Sequence, residues 1–149
     1  MTPDALAAAY AAVLWDGDRA SQGLGMVLEH VAPGTARMSM DVAPHMLNGH
    51  GTCHGGFIFA LADSAFAFAC NTGTQDGGGM ASVAAQCSIA FLRPAHAGER
   101  LVAEASERHR EGRSGITDVR VTAGGEVVAE FRGHSRTTGA KLAGAPDAP

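Results

Sequence analysis

The residues best suited to chemistry lie between Asn48 and Cys70, in the run NGHGTCHGG followed by FIFALADSAFAFAC. The first part is a turn rich in glycine and histidine. The second reads as a helix that is apolar on nearly every side and is interrupted by one carboxylate, Asp63. Apolar helices of this kind are buried, and a buried carboxylate is rare unless it is paired or used. The positions one helical turn away hold Phe59, Ala60, Phe66 and Ala67, so no basic neighbour neutralises the acid. Desolvation then raises its pKa and suits it to act as a base or nucleophile near neutral pH. The alternative is a buried acid hydrogen-bonded to backbone or to a hydroxyl such as that of Ser64.

Gly55 and Gly56 open this helix. Their N–H groups lack intrahelical partners and sit at the positive end of the helix dipole. Without Cβ atoms they let a ligand approach the backbone, which makes a site that polarises a carbonyl. The alternative is a glycine-rich cap with no ligand. A phosphate loop is disfavoured because no Lys-Ser/Thr follows the glycines, and the dinucleotide fingerprint fails at His54. His45, His50, Cys53 and His54 lie close together but lack a paired Cys-x-x-Cys or His-x-x-x-His element, so no metal is expected. Cys53 is an alternative nucleophile, since a helix N-terminus lowers a thiol pKa, yet it has no evident base and orienting acid.

Spacing sharpens the reading. Gly55 and Asp63 are eight residues apart, about 12 Å along a helix. They cannot both touch one reacting carbonyl within one chain. If both act on one substrate, the acid comes from a second copy, and the minimal active unit is a dimer.

The elements that must position this stretch follow from periodicity. Thr2-Pro3-Asp4 is a helix start, with a capping hydroxyl, Pro in the first turn and an acid at the dipole. Leu6, Tyr10, Val13 and Leu14 recur at helical spacing up to Gly17. Strands are predicted over residues 24–31 and 35–42, with Ala36, Met38, Met40 and Val42 on one face of the second. The central helix spans about 55–70, ended by Asn71, Gly73 and the loop Gly77-Gly78-Gly79. Strands follow over 82–92, with Val83, Ala85, Cys87, Ile89 and Phe91 on one face, and over 101–109, 116–122 and 127–134. Gly124-Gly125 is a hairpin signal. Residues 138–149 read as a disordered tail and residues 1–137 as one domain. The economical assembly is an α+β fold, a curved antiparallel sheet wrapped around one long central helix, with a short N-terminal helix docked on it. One sheet covers only part of that helix, and another subunit must cover the rest.

Composition bounds the class. The chain has 149 residues, 46% hydrophobic and 17% charged, with a net charge of −4. That argues against a nucleic-acid binder, which carries a basic stripe. Three cysteines form no disulfide framework and suit a reducing cytoplasm. The N-terminus has no basic region followed by an apolar core, so no signal peptide is expected. The longest apolar run is too short to span a bilayer.

At these residues the sequence resembles the hotdog-fold thioesterases, in particular the phenylacetic-acid-degradation (PaaI-type) branch. The resemblance rests on Asn48, Gly51, His54-Gly55-Gly56, Leu61-Ala62-Asp63 and Phe91-Leu92-Arg93-Pro94-Ala95, and covers roughly residues 20–137. It implies hydrolysis of acyl-coenzyme A, with aryl-, phenylacetyl- or hydroxyphenylacetyl groups typical. It also implies dimers paired into tetramers, with sites at the subunit interface and no cofactor besides the coenzyme A of the substrate. Carried over by motif, the Gly55 N–H polarises the thioester carbonyl. Asp63 of the facing subunit acts as base or nucleophile, and Asn48 and His54 position water and thioester. Arg93, Arg113 and Ser114 are candidates for coenzyme A together with Gly56, and Phe57 and Phe66 for the acyl pocket. The competing readings are a hotdog acyl-thioester dehydratase or hydratase using His50 or His54, and a non-catalytic acyl-CoA-binding protein. A Cys53→Ser variant separates the nucleophile candidates. It should retain thiol release from acyl-CoA, whereas a loss of about a thousandfold or more would assign catalysis to the thiol.

Overall fold

The structure, a computed structural model, describes residues 1–73 and 79–147. Gly77 and Gly78 of the predicted glycine loop lie outside the described residues. Helix α1 spans Pro3–Gly17, and Thr2 caps it, its Oγ1 accepting from the Ala5 N–H at 3.1 Å. A second short helix, α2 (Arg19–Gly23), follows at once, capped by Asp18, whose Oδ1 accepts from the Ser21 N–H. Periodicity does not reveal α2, because five residues carry too few turns to show a pattern. Its C-terminal turn consumes Leu24, so strand β1 is Val27–Ala32 rather than beginning at Leu24. Then come β2 (Thr35–Asp41), a 3₁₀ turn at Pro44–Met46, the central helix α3 (Gly55–Asn71), β3 (Met80–Phe91), β4 (Arg100–Glu111), β5 (Ser114–Ala123) and β6 (Glu126–Lys141).

The six strands form one antiparallel sheet in the order β1-β2-β4-β5-β6-β3. This is the expected hotdog arrangement, with α3 as its filling. Gly124 and Gly125 turn β5 into β6 with φ of 58° and 82°, a conformation that side-chain-bearing residues rarely adopt. Ile58, Leu61, Ala62, Ala65, Phe66, Phe68 and Ala69 of α3 are buried against Met38, Met40, Leu101, Ala103, Val119, Val121 and Phe131. The alanines bring the helix close to the sheet. At Gly133 the approach is so tight that a Cβ would stand 2.6 Å from the Phe66 ring.

Register shifts interrupt four of the strand pairings, and two of them, in β3 and β4, reset which residues face α3. In β3 the register shifts between Ala84 and Gln86. Cys87 and Ile89 stand opposite Gly133 and Phe131 on the inner face, whereas Val83 stands opposite exposed Arg136. The predicted single apolar face from Val83 to Phe91 is therefore broken at Ala85. β3 is also an edge strand, and Val83 and Phe91 are half exposed, at 53% and 52%. In β4 the shift between Glu107 and His109 brings both Glu107 and Arg110 to the inner side. The C-terminal segment also differs from a disordered tail over residues 138–141. There β6 continues to pair with β3, with Lys141 opposite Met80 and the Thr138 hydroxyl donating to the Ala81 carbonyl.

The C-terminal end of α3 is tied into the sheet. Arg110 Nη2 donates to the Cys70 carbonyl (2.9 Å) and to Glu107 Oε2 (3.0 Å), with the two side chains only 9% and 7% exposed. Asn71 bonds reciprocally with Ser82 of β3, donating to its carbonyl (3.0 Å) and accepting from its N–H (2.8 Å). A cation at the negative end of the helix dipole is doubly favourable. Removing it leaves Glu107 buried without its ion-pair partner and the Cys70 carbonyl without this donor. Arg110→Ala should therefore cost about 3–5 kcal/mol in urea unfolding.

Candidate active site

The turn before α3 is held by one side chain. Asn48 Oδ1 accepts from the His50 N–H (2.9 Å), the Thr52 N–H (3.2 Å) and the Thr52 hydroxyl (3.3 Å). Two backbone donors converge on this atom, which identifies it as the amide oxygen. The Asn48 amide nitrogen has no partner among the described residues and remains a donor. The turn is pinned to the rest of the fold by the His54 N–H on the Met46 carbonyl (2.7 Å) and the Cys53 N–H on the Ala95 carbonyl (2.8 Å).

His54 is the N-cap of α3. Its Nδ1 accepts from the Gly56 N–H at 2.9 Å, so the neutral ring carries its proton on Nε2, and the residue is exposed. The two glycines thereby part company. The Gly56 N–H is spent on the cap, which removes Gly56 from the expected donors to a ligand. The Gly55 N–H has no acceptor among the described residues and stands at the positive end of the dipole. A pocket of about 350 Å³ opens beside it, lined by Cys53, Gly55, Ile58, Phe91, Leu92, Arg93 and Pro94. The fold thus brings the glycine turn and the FLRP segment into one site. Phe91 forms a wall: a Cβ on Gly55 would lie 3.0 Å from its Cζ. Phe91 and Pro94 belong to the motif that carries the resemblance, yet sequence reasoning gives them no role at this site. Arg93 lines the pocket and pairs with Glu126.

Asp63 lies two turns further along α3. It is half-buried, and among the described residues no hydrogen bond or ion pair reaches its carboxylate. Burial alone pushes its pKa above the ordinary aspartate value. Its charge is felt on β3, where burial first and Asp63 second raise the Cys87 thiol. Beside it, Ser64 shares a hydrogen bond with Ser21 (2.8 Å), whose hydroxyl donates to Asp18 (2.7 Å). Periodicity cannot see this tie because it runs through α2. Along α3, Gly56, Ala60, Asp63 and Ala67 form a stripe that the chain leaves partly or fully uncovered.

Other expectations change. Cys53 is 5% exposed, and burial raises its thiol pKa, overriding the lowering expected at a helix N-terminus. Phe66 is 1% exposed and packs on Phe131 at 5.7 Å, a core residue rather than part of an open pocket. Phe57 lies edge-on to His45 and His54 at 6.3 and 6.2 Å and is absent from the lining of the Gly55 pocket. Among the described residues no three His, Cys, Asp or Glu side chains gather as metal ligands would. Arg113 and Ser114 stand at the β4–β5 turn, near the sheet end that holds the C-terminus of α3, and do not join Arg93 within one chain. A concavity of about 860 Å³ lies along the outer face of the sheet, away from Gly55 and Asp63.

The sequence profile of the thioesterase superfamily matches residues 50–130, more than half of the chain. The chain is 41% identical over 132 residues to the acyl-coenzyme A thioesterase PaaI of Escherichia coli K12, covering 88% of this chain and 91% of that protein. The solved structure of the E. coli PaaI protein superposes with a TM-score of 0.88 at 38% identity, covering 94% and 99% of the two chains. A variant of the phenylacetic acid degradation protein PaaI from Thermus thermophilus superposes at 0.75 with 39% identity, covering 81% and all of the two chains. Strand order, central helix, glycine turn and these likenesses agree: the chain belongs to the thioesterase superfamily of hotdog-fold thioester hydrolases.

Proposed function

We propose that the protein hydrolyses acyl-coenzyme A thioesters, with aryl-, phenylacetyl- or hydroxyphenylacetyl-CoA as the substrate class. The observation that carries this reading is the unspent Gly55 N–H at the mouth of a pocket. The thioester carbonyl accepts from it. A water molecule placed by the Asn48 amide and His54 Nε2 attacks the carbonyl carbon as Asp63 takes its proton. The tetrahedral oxyanion is stabilised by the Gly55 N–H, and collapse expels the thiolate of coenzyme A, which is reprotonated. Direct attack by the Asp63 carboxylate, followed by hydrolysis of the anhydride, uses the same groups. Either route runs on a carboxylate, water and backbone amide, with no further cofactor.

About 12 Å of helix separates Gly55 from Asp63, which supports a site whose acid comes from a neighbouring copy if both act on one substrate. The open edge of β3, exposed Val83, Phe91 and Leu92, and the half-covered stripe around Asp63 supply the surface for that copy. Antiparallel pairing of two β3 edges continues the sheet and makes the dimer the minimal active unit. Dimers pair further into a tetramer. The net charge of −4 argues against a nucleic-acid partner, the three free cysteines suit a reducing cytoplasm, and among the described residues no helix is long and apolar enough to cross a membrane.

Mixing chains tests the shared site. Asp63→Ala and Gly55→Val chains should each be inactive, whereas each mixed dimer keeps one intact site of two and regains thiol release. Total inactivity of the mixture would sink the shared-site reading. The pH profile is a second check. A raised Asp63 pKa keeps the carboxylate protonated to higher pH, so kcat/KM should rise through a midpoint above the ordinary aspartate value of 3.8. Asp63→Asn should remove this limb and lower kcat by about 10²–10⁴-fold.

A further inference from the structure

Ser64 follows Asp63 on α3, yet its hydroxyl does not serve the acid. Ser21 of α2 is 1% exposed and gives its one hydroxyl proton to Asp18 Oδ2 at 2.7 Å. Its N–H goes to Asp18 Oδ1 at 3.0 Å. The proton in the 2.8 Å contact between the Ser21 and Ser64 hydroxyls therefore comes from Ser64. The relay runs one way, from Ser64 through Ser21 to a carboxylate, and the carboxylate polarises the chain in that direction. A serine hydroxyl has one proton and two lone pairs. Ser64 has committed the proton, and among the described residues no other side chain reaches its oxygen. The residue is half-buried, and what it has left to offer is an acceptor.

Position on the helix sets this acceptor across from the acid. Successive residues turn by about 100°, so Ser64 stands about 100° from Asp63 around α3. Ala60 and Ala67 project between the two and form a half-covered floor. Behind Ser64 stands the α1–α2 corner, where Trp15 packs on Phe68, one turn beyond Ser64, with ring centroids 6.2 Å apart. Asp63 and Ser64 thus flank one trough. We infer that Ser64 is a specificity residue of the thioesterase site, its oxygen accepting a hydrogen bond from a hydroxyl on the ring of the acyl group. The inference deepens the acyl-CoA reading and rests on it. A ring lying on Ala60 and Ala67 has its thioester carbonyl beside Asp63 and its far edge toward Ser64. The copy that supplies Asp63 then also reads the ring, while the other copy offers the Gly55 N–H to the carbonyl. Selection follows from the direction of the relay. A ring hydroxyl brings the donor that Ser64 lacks, an unsubstituted ring brings nothing, and a methoxy group sets acceptor against acceptor.

Thiol release from a ring series tests this: phenylacetyl-CoA, its 3-hydroxy and 4-hydroxy forms, and the methoxy analogue of each. In wild type, kcat/KM for at least one hydroxy isomer should exceed that for phenylacetyl-CoA by about three- to tenfold, and its methoxy analogue should show no such gain. Ser64→Ala should bring the ratio of hydroxylated to unsubstituted substrate to about one. Ser64→Cys, a weak acceptor of similar size, should lower it in the same direction, and Ser64→Thr, which keeps the hydroxyl, should preserve it. The unsubstituted ring is the internal reference. A purely structural role for the relay would move both rates together and leave the ratio in place. An unchanged ratio in Ser64→Ala, equal rates across the series in wild type, or a methoxy form that matches its hydroxy form would overturn the assignment and leave hydrolysis itself intact. Calorimetry with inert thioether analogues of the same rings covers the opposite failure. If wild type cleaves none of the thioesters yet binds the hydroxylated analogue more tightly than the unsubstituted one, and Ser64→Ala loses that difference, the hydrolase reading falls and the Ser64 contact stands.

Discussion

A helix packed against a sheet must have the buried peptide groups at its ends satisfied by protein, because water cannot reach them. In α3 that requirement shapes both the fold and the site. At the C-terminal end the need is met many times over. Arg110 reaches the Cys70 carbonyl, Asn71 bridges to Ser82, and the Thr72 hydroxyl donates to the Phe68 carbonyl at 2.7 Å. At the N-terminal end it is met incompletely. His54 satisfies Gly56 and leaves the Gly55 N–H open to a pocket. The asymmetry between a closed end and an open one leaves a structural helix with a backbone donor facing a pocket.

Two carboxylates near α3 show how environment assigns roles. Glu107 is nearly buried and held by Arg110, with which it helps to anchor the helix. Asp63 is half-buried, without such a partner among the described residues, and its proton affinity is raised by desolvation. The first is locked into structure. The second keeps its charge state adjustable, as a base or nucleophile requires. The same contrast separates the arginines. Arg37, Arg108, Arg120 and Arg132 are neutralised across strands on the outer face, whereas Arg110 is held on the inner side against the end of α3.

The sheet bulges connect these features. A strand of perfect alternation would keep Val83 on the same face as Cys87 and would turn Arg110 outward. The shifts in β3 and β4 instead place Cys87 under the helix near Asp63, Gln86 on the outer face, and Arg110 under the end of α3. Local irregularity in the sheet is therefore what aligns an otherwise regular fold with its helix.

The class of fold and the positions of the candidate site groups along α3 were legible in the chain before it folded. Apolar density marked α3 as buried, a lone acid within it marked Asp63, and the glycines before it marked an open helix end. Strand alternation located β2, β4, β5 and β6, and helical rise separated Gly55 from Asp63. These follow from short-range periodicity and from distances counted along one element. The sharing of donors was settled only when the chain packed. Packing spent the Gly56 N–H on His54, placed Phe91 against Gly55, and buried Phe66 and Cys53. The α2 helix and both bulges were equally illegible, since each is a one-turn or one-residue departure from a repeat. Hydrogen-bond allocation and pocket walls depend on residues far apart in the chain meeting at ångström range, and periodicity carries no information at that range.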